Sequence, residues 1–215
     1  MARNKNGILG GFSGKVGAVV GYNSYGVDRM RGLPERTAPA TIAEIKNRTK
    51  FKLVQDTLNC FKELIKVGFN NYWTKTGGMR GAVSYNKMFA VKEEEGAYAI
   101  DPEEFRFSGG TLPGLKDVRV ELEGKDVLRF YWDEEIGTDA SAQDQVMMLA
   151  IDLQGKKACY VSYGGFRNSG TDILRLSDDL VGKTVHVYIA VIARDRSRQS
   201  SSQYLSKMLI DYLRN

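Results

Sequence analysis

The glycine-rich stretch from Gly10 to Pro34 is the first place in the chain where residue types and spacing could do chemistry. A phosphate-binding P-loop needs GxxxxGK followed by Ser or Thr, because the loop amides hold phosphate and the hydroxyl holds magnesium. Here Gly14 and Lys15 are followed by Val16, and the first glycine of that pattern is replaced by Leu9. A dinucleotide loop would be followed by a helix, whereas these glycines are followed by strand-forming residues. The stretch therefore predicts backbone architecture, where glycines permit turns and close approach.

Hydrolytic and metal chemistry find little support among the remaining residues. His186 is the only histidine and lies within Val185 to Ile192, a near-continuous apolar segment, so a structural role is expected for it. Adjacent carboxylates in a turn do not fix the separation that glycoside chemistry requires, and irregularly spaced ones do not form a calcium loop. These carboxylates are Asp133, Glu134 and Glu135 in the first group, and Asp139, Asp144 and Asp152 in the second. We expect no enzyme activity, no catalytic residue, no metal and no cofactor.

Length and composition indicate a protein that folds around a real core. The chain has 215 residues, 42% of them hydrophobic and only 4 of them proline. Cys60 and Cys159 are not in a CxxC pair and are expected to be buried free thiols. No stretch approaches the roughly 20 apolar residues of a membrane span, and the N-terminus lacks a signal-peptide pattern. We therefore expect synthesis in the cytoplasm and no membrane span.

Charge is distributed unevenly along the chain. Residues 1–92 hold 16 Lys and Arg against five Asp and Glu, a net charge of +11, so the remainder carries −6 within a total of +5. This polarity predicts an acidic partner for the N-terminal part: nucleic acid, an acidic protein surface or the acidic half of a neighbouring copy. The cations expected to form such a patch are Arg29, Arg31, Arg36, Lys46, Arg48, Lys50 and Lys52.

The elements that would position these residues begin with a β-hairpin. Lys15 to Tyr22 and Val27 to Arg31 have strand character, with turn residues between them. Thr41 to Glu44 is a capping box, which predicts the start of a long helix that ends near Gly68. Its apolar residues recur every three or four positions; they are Phe51, Val54, Leu58, Phe61 and Ile65. A second helix is predicted from Met79 to Val91, and the acidic run Glu93 to Gly96 is expected to be a solvated boundary.

Short strands dominate the sequence from Tyr98 onward, separated by turn residues, as is typical of a β-sandwich. The seven main strands are expected at Val118–Leu122, Val127–Trp132, Val146–Leu153, Ala158–Tyr163, Asp172–Leu176, Thr184–Ala193 and Gln203–Ile210. The predicted class is α+β: an N-terminal β-hairpin arm and helices followed by a C-terminal sandwich. The expected segments are 1–40 (glycine-rich hairpin arm and linker), 41–97 (helical region with a long basic helix), 98–114 (connecting strand segment) and 115–215 (sandwich).

The sandwich resembles fibronectin type III and immunoglobulin-like domains. Leu128 to Trp132 resembles the early strand that carries a core tryptophan. The segment that leads through the tyrosine corner in such domains has residues at two-residue intervals. The same spacing is found here for Leu180, Gly182, Thr184, His186, Tyr188 and Ala190, and His186 occupies the place of the family's tyrosine.

Nearly the whole chain also resembles an uncharacterised domain-of-unknown-function family, numbered 6266 and associated with Bacteroidota. The stretches that carry this likeness are Gly14–Tyr22, Arg31–Pro34, Arg48–Phe51, Ala140–Val146 and His186–Ala190. The resemblance implies a shared fold and no assigned reaction.

Two functional hypotheses remain open after these exclusions. The first is a structural or assembly protein that associates with itself or with another subunit, as in a phage-like or mobile-element particle. Its assembly arm would comprise Gly14, Lys15, Gly17, Gly21, Tyr22 and Arg31. The alternative is a nucleic-acid-binding accessory protein that uses the basic patch, with Tyr22, Tyr25, Tyr72 and Trp73 stacking on bases and Asn70 and Asn71 forming hydrogen bonds.

Overall fold

The glycine-rich N-terminal stretch forms an antiparallel sheet of four strands in the order β1-β2-β3-β4. The strands are β1 (Arg3–Asn4), β2 (Phe12–Val16), β3 (Val19–Ser24) and β4 (Val27–Gly32). The predicted hairpin is confirmed as β3 and β4, joined at Tyr25 and Gly26. The single strand predicted from Lys15 to Tyr22 is wrong, because this segment is divided between β2 and β3. Gly17 adopts a left-handed φ of +57° and turns the chain between the two strands.

The computed structural model describes residues 3–4, 7, 10–33, 38–72, 77–94 and 96–211. The chain divides into two compact units, Met1–Ile42 and Ala43–Asn215. The first unit contains the four-stranded sheet. The second contains the helices and all the other sheets.

Two helices stand where one long helix was predicted, so that prediction is wrong. They are α1 (Ile42–Asn59), which begins directly after the predicted cap Thr41, and α2 (Lys62–Gly68). Thr57 Oγ1 donates to Leu53 O at 2.9 Å, and Cys60 Sγ lies 3.4 Å from Asp56 O, side-chain bonds of a kind that bends helices. Phe61, which directly precedes α2, has φ −139° and ψ 40°, outside helical geometry, so the two helices are separate.

The second predicted helix is confirmed as α3 (Gly78–Phe89), which ends two residues before the predicted Val91. The acidic run after it was predicted to be a simple boundary but belongs to a hairpin, formed by β5 (Val91–Glu94) and β6 (Ala97–Ile100). Glu93 and Glu94 are exposed, so their charges remain solvated within the strand.

All seven strands predicted for the C-terminal part are confirmed, with ends within two residues of the prediction. They are β7 (Arg119–Glu123), β8 (Val127–Tyr131), β9 (Gln145–Asp152), β10 (Lys157–Val161), β11 (Thr171–Arg175), β12 (Thr184–Ile192) and β13 (Gln203–Leu209). They form a three-stranded sheet in the order β11-β8-β7 and a four-stranded sheet in the order β10-β9-β12-β13. Every pairing is antiparallel, and the α+β class is confirmed.

The four-stranded sheet lies at the centre of the second unit, because both of its faces are covered. One face of β9 and β12 packs with the three-stranded sheet, as Met148 and Val187 cluster with Phe130. The opposite face packs with the helices, as Leu149 and Tyr188 cluster with other residues that include Val54, Leu58, Leu64, Ile65 and Ala82. Burying both faces removes a large apolar area from water and makes the helical region part of the same core as the strands.

The connecting segment 98–114 is tied to both of its neighbours by hydrogen bonds. Asn86 of α3 donates from Nδ2 to Arg106 O at 2.8 Å and accepts from Arg106 N at 2.9 Å. Further along, Arg167 donates to Pro113 O at 2.6 Å and Gly114 O at 2.9 Å. The segment is therefore a fixed part of the second unit.

Within the part of the chain that the structure describes, no helix has the length and apolar character needed to span a membrane.

Candidate interaction surface

The N-terminal sheet leaves most of its apolar side chains exposed. Met30 is 71% exposed, and Val16 and Val27 are each 54% exposed. Among residues 10–33, Gly21 alone is buried. A sheet normally buries one apolar face against another element, so apolar side chains exposed to this extent are unusual for a sheet.

The glycines of this sheet serve its backbone, as the sequence predicted. A Cβ on Gly21 would lie 2.2 Å from Phe12 O and 2.6 Å from the Phe12 ring, so the two strands approach too closely for a side chain there. Gly17 and Gly26 occupy the turns with φ of +57° and +84°, angles that favour glycine. The opening glycine stretch is therefore built for tight strands and turns.

One face of the sheet is basic and aromatic. Val20 of β3 pairs with Lys15 of β2 on one side and with Arg31 of β4 on the other. Two residues further along the same strands, Tyr22 of β3 pairs with Arg29 of β4. Because side chains alternate along a strand, the three cations and Tyr22 share this face. The Arg31 guanidinium lies 5.8 Å from the centre of the Tyr22 ring, a cation–π contact. We call this set, together with Val27, the basic face.

The opposite face, which we call the apolar face, carries Phe12, Val16, Val19 and Met30. Val16 pairs directly with Val19, and Met30 pairs with Gly21. Asp28 also lies on this face and accepts a 2.8 Å hydrogen bond from Asn23 Nδ2. It is the only acidic residue among the described residues of the sheet, so the basic face carries no compensating carboxylate there.

The four cations predicted at the start of α1 divide into two pairs on different sides of the helix. Lys46 Nζ lies 3.6 Å from Glu93 Oε1, and Lys50 Nζ lies 4.8 Å from the centre of the Tyr98 ring, so both contact the β5–β6 hairpin. Arg48 and Lys52 are exposed and one helical turn apart.

The other patch residues fall in different parts of the chain. Arg29 and Arg31 belong to the first unit, whereas the helix cations belong to the second. Arg36 lies outside the described residues, as do Trp73 and the side chain of Tyr72, which were predicted to stack on bases. Tyr25 is 80% exposed in the turn between β3 and β4.

Sequence reasoning did not find an acidic groove between two edge strands of the second unit. β7 and β13 are end strands of the two sheets and contact each other. The groove, of about 640 Å³, is lined by Glu121, Leu122, Met208, Leu209 and Asp211. Both charged lining residues are acidic, and Leu209 is 60% exposed. The alternation of Glu121 and Glu123 with apolar residues marked an acidic strand, but Asp211 is too distant in sequence for its proximity to be read.

His186 is half-buried on β12. Its Nδ1 atom lies 3.2 Å from Tyr204 Oη. Burial lowers the pKa of His186 below its ordinary value of 6.5, and the nearby Lys207 lowers it further. The buried hydroxyl of this strand belongs to Tyr188, which donates to Pro102 O at 2.8 Å.

The two cysteines are free thiols, and both are half-buried where full burial was expected. Cys60 Sγ lies 2.9 Å from Lys156 O, and burial raises the pKa of this thiol. A raised pKa favours the protonated, less nucleophilic form.

Four of the six carboxylates tested as catalytic or metal-binding groups have separate structural partners. Asp139 pairs with Arg198 at 2.8 Å, and Glu135 pairs with Lys116 at 3.0 Å. Asp144 lies 3.5 Å from Arg167 Nε, both side chains being almost fully buried. Asp152 accepts from the backbone N–H groups of Gln154 and Gly155. Among the described residues, no group of three or more His, Cys, Asp or Glu side chains could hold a metal ion.

A comparison with protein families finds one match of long extent. A model described as a family of unknown function, DUF6266, matches residues 11–206, which span both units. None of the curated proteins compared with the chain matches it.

Proposed function

Because the chain belongs to DUF6266, a family of unknown function, its identity brings no assigned reaction, and we propose that it is a non-enzymatic structural or assembly protein. In this proposal the N-terminal sheet is the attachment element, and its partner is a second copy of the chain. The second unit serves as the packing module.

The exposure of the N-terminal sheet is the observation that carries the proposal. Val16, Val27 and Met30 are each more than half exposed, and the sheet's described residues from 10 to 33 bury no side chain. Edge strand β4 also has one side that no described strand of the chain pairs with. Exposed apolar side chains and an open strand edge are the features through which β-addition brings proteins together.

The strand order supports the immunoglobulin-like or fibronectin-type-III-like character of the sandwich. Its first, second and fifth strands form one sheet, and its third, fourth, sixth and seventh form the other. The fourth strand joins the larger sheet, as the C′ strand does in immunoglobulin variable domains. Trp132, which follows the second strand, is buried in the core between the sheets and donates to Arg167 O at 2.6 Å. Domains of this architecture are common binding and packing modules.

A phage-like or mobile-element particle is one concrete setting for such a protein. The chain would be made in the cytoplasm and incorporated into the particle as a repeated subunit. The Bacteroidota association implied by the family resemblance indicates the hosts in which to look for it.

Light scattering coupled to size-exclusion chromatography on nuclease-treated protein tests the proposal. We expect a defined assembly heavier than the 24.0 kDa of one chain. Val27→Glu and Met30→Glu place a charge on opposite faces of β4, and at least one of them should release monomers. Met88→Glu is the matched control, because Met88 is 72% exposed on α3 and Met30 is 71% exposed on β4. Wild-type protein that stays monomeric at high concentration would overturn the proposal.

Nucleic-acid binding is the second candidate function, and the composition of the basic face favours it. Tyr22 lies among Lys15, Arg29 and Arg31, and rings flanked by cations are used to stack bases while the cations hold phosphate. This function predicts salt-sensitive binding of single-stranded nucleic acid. Charge reversal at Arg48, Lys50 and Lys52 tests the helix cations separately. A 260/280 nm absorbance ratio that is unchanged by nuclease, in protein that binds no added oligonucleotide, would exclude this candidate.

A further inference from the structure

Strand β4 presents a regular set of side chains on the basic face. Val27, Arg29 and Arg31 follow each other at two-residue intervals, and all three are exposed. At this spacing successive side chains lie about 6.8 Å apart on the same side of a strand. The strand is at the edge of its sheet and pairs, among the described strands, with β3 alone.

The acidic groove between β7 and β13 is complementary to this set. Its apolar surface is made by Leu122, Met208 and Leu209, and its charges by Glu121 and Asp211. Both bordering strands are sheet edges, so their outer backbone groups are available to an added strand.

We propose that strand β4 of one copy docks into the acidic groove of a second copy, with Arg29 and Arg31 against Glu121 and Asp211 and Val27 against Leu209. The inference rests on the proposed self-association and names its two surfaces. Placing guanidinium groups beside carboxylates in a partly desolvated groove gives charge-assisted hydrogen bonds in addition to apolar contact.

The geometry favours this partner over the two alternatives. Two β4 strands placed edge to edge would bring like charges together, which is unfavourable. A nucleic acid would satisfy the arginines but would leave Val27 without an apolar partner, whereas the groove supplies apolar residues and carboxylates together. The charge of the whole chain is divided in the same way: residues 1–92, which contain the basic strand, carry +11, and the remainder, which contains the acidic groove, carries −6.

This contact is heterologous, because the two surfaces are different parts of the chain. Each copy offers one strand and one groove, so assembly continues until a ring closes or a filament forms. A chain whose strand is blocked retains its groove, and a chain whose groove is blocked retains its strand.

Complementation by mixing tests the inference directly. The strand variant is Arg29→Glu/Arg31→Glu, and the groove variant is Glu121→Lys/Asp211→Lys. We expect each variant alone to be a monomer, with an apparent dissociation constant raised at least about tenfold. Mixed in equal amounts, the two should assemble again to masses of at least twice the 24.0 kDa of one chain. The intact strand of the groove variant meets the intact groove of the strand variant, and the two charge-reversed surfaces also attract each other. A chain with all four changes should recover assembly through reversed charges.

Controls separate failure of this inference from failure of the proposed function. Glu103→Lys/Glu104→Lys makes the same change in charge at two exposed residues away from the groove and should assemble like the wild type. If the strand variant is monomeric but the groove variant still assembles, the acceptor lies elsewhere; the inference is overturned while self-association stands. If the mixture stays monomeric, the head-to-tail contact is overturned. If the wild type is monomeric and the strand variant loses oligonucleotide binding, the basic face is a nucleic-acid site and both proposals fall.

Discussion

At the scale of single residues, Gly21 shows how closely the N-terminal strands depend on a missing side chain. We expect Gly21→Ala to speed amide hydrogen exchange across residues 10–33 by about tenfold or more, because an overpacked contact destabilises the folded state by about 1–3 kcal/mol. The clash is with Phe12 O, 2.2 Å from the added carbon. Gly32→Ala is the control, since a Cβ there meets no atom within 4 Å. Equal exchange in the two variants would contradict this account.

His186 connects stability to pH. Its pKa in the folded chain is below 6.5, so as the pH falls through 6.5 the unfolded chain takes up a proton that the folded chain does not. Stability is therefore lost as the pH falls below 6.5, until the folded pKa is reached. We expect the urea midpoint to fall less between pH 7.5 and pH 5.5 in His186→Gln than in the wild type. Parallel changes in both proteins would show that His186 is not responsible.

At the scale of elements, the buried Arg167 donates to the connecting segment and pairs with Asp144, so it holds that segment against the C-terminal strands. Arg167→Met would remove the donors to Pro113 and Gly114 and leave Asp144 buried without its cation, at a cost of about 3–5 kcal/mol in unfolding free energy. Arg198→Met, which breaks the exposed pair with Asp139, should lower the unfolding free energy far less, because solvent screens an exposed ion pair. Urea denaturation measures both, and similar losses would refute the distinction.

Strands were predictable from the sequence because their alternation and turn residues are local signals. The break between α1 and α2 was not, because the apolar repeat continues through Leu58, Phe61 and Ile65 while Thr57 and Cys60 redirect the backbone. The strand made by Glu93 and Glu94 was missed for the opposite reason: its charges stay solvated, so it has no apolar pattern. Local periodicity reports which side chains are buried and does not report where the backbone bends.

At the scale of the whole molecule, the candidate surfaces followed from sequence only in part. The basic strand could be read because Arg29 and Arg31 are close in the chain. The acidic groove could not, because Glu121 and Asp211 meet only when two sheets pack. The coverage of the central sheet by helices was likewise hidden, since the pairing of faces depends on contacts between distant segments.

The distribution of the core predicts the result of removing the N-terminal unit. All buried hydrophobic side chains of the described chain lie between Val54 and Ile210. A chain that begins at residue 41 should therefore keep its circular dichroism spectrum and unfold cooperatively, while losing self-association. Circular dichroism during urea unfolding measures the first property and light scattering the second. A truncated chain without a cooperative transition would show that the second unit does not fold alone.

The double burial of the central sheet also bears on the order in which the chain is made. β9 has seven buried residues in eight, and an uncovered strand of that kind pairs readily with other chains. The helices that cover it occupy residues 42–89, so they leave the ribosome before β9 does. The apolar surface of these helices is therefore present when β9, the more aggregation-prone segment, emerges. The order of the elements along the chain therefore allows β9 to be covered soon after its synthesis, which limits its pairing with other chains.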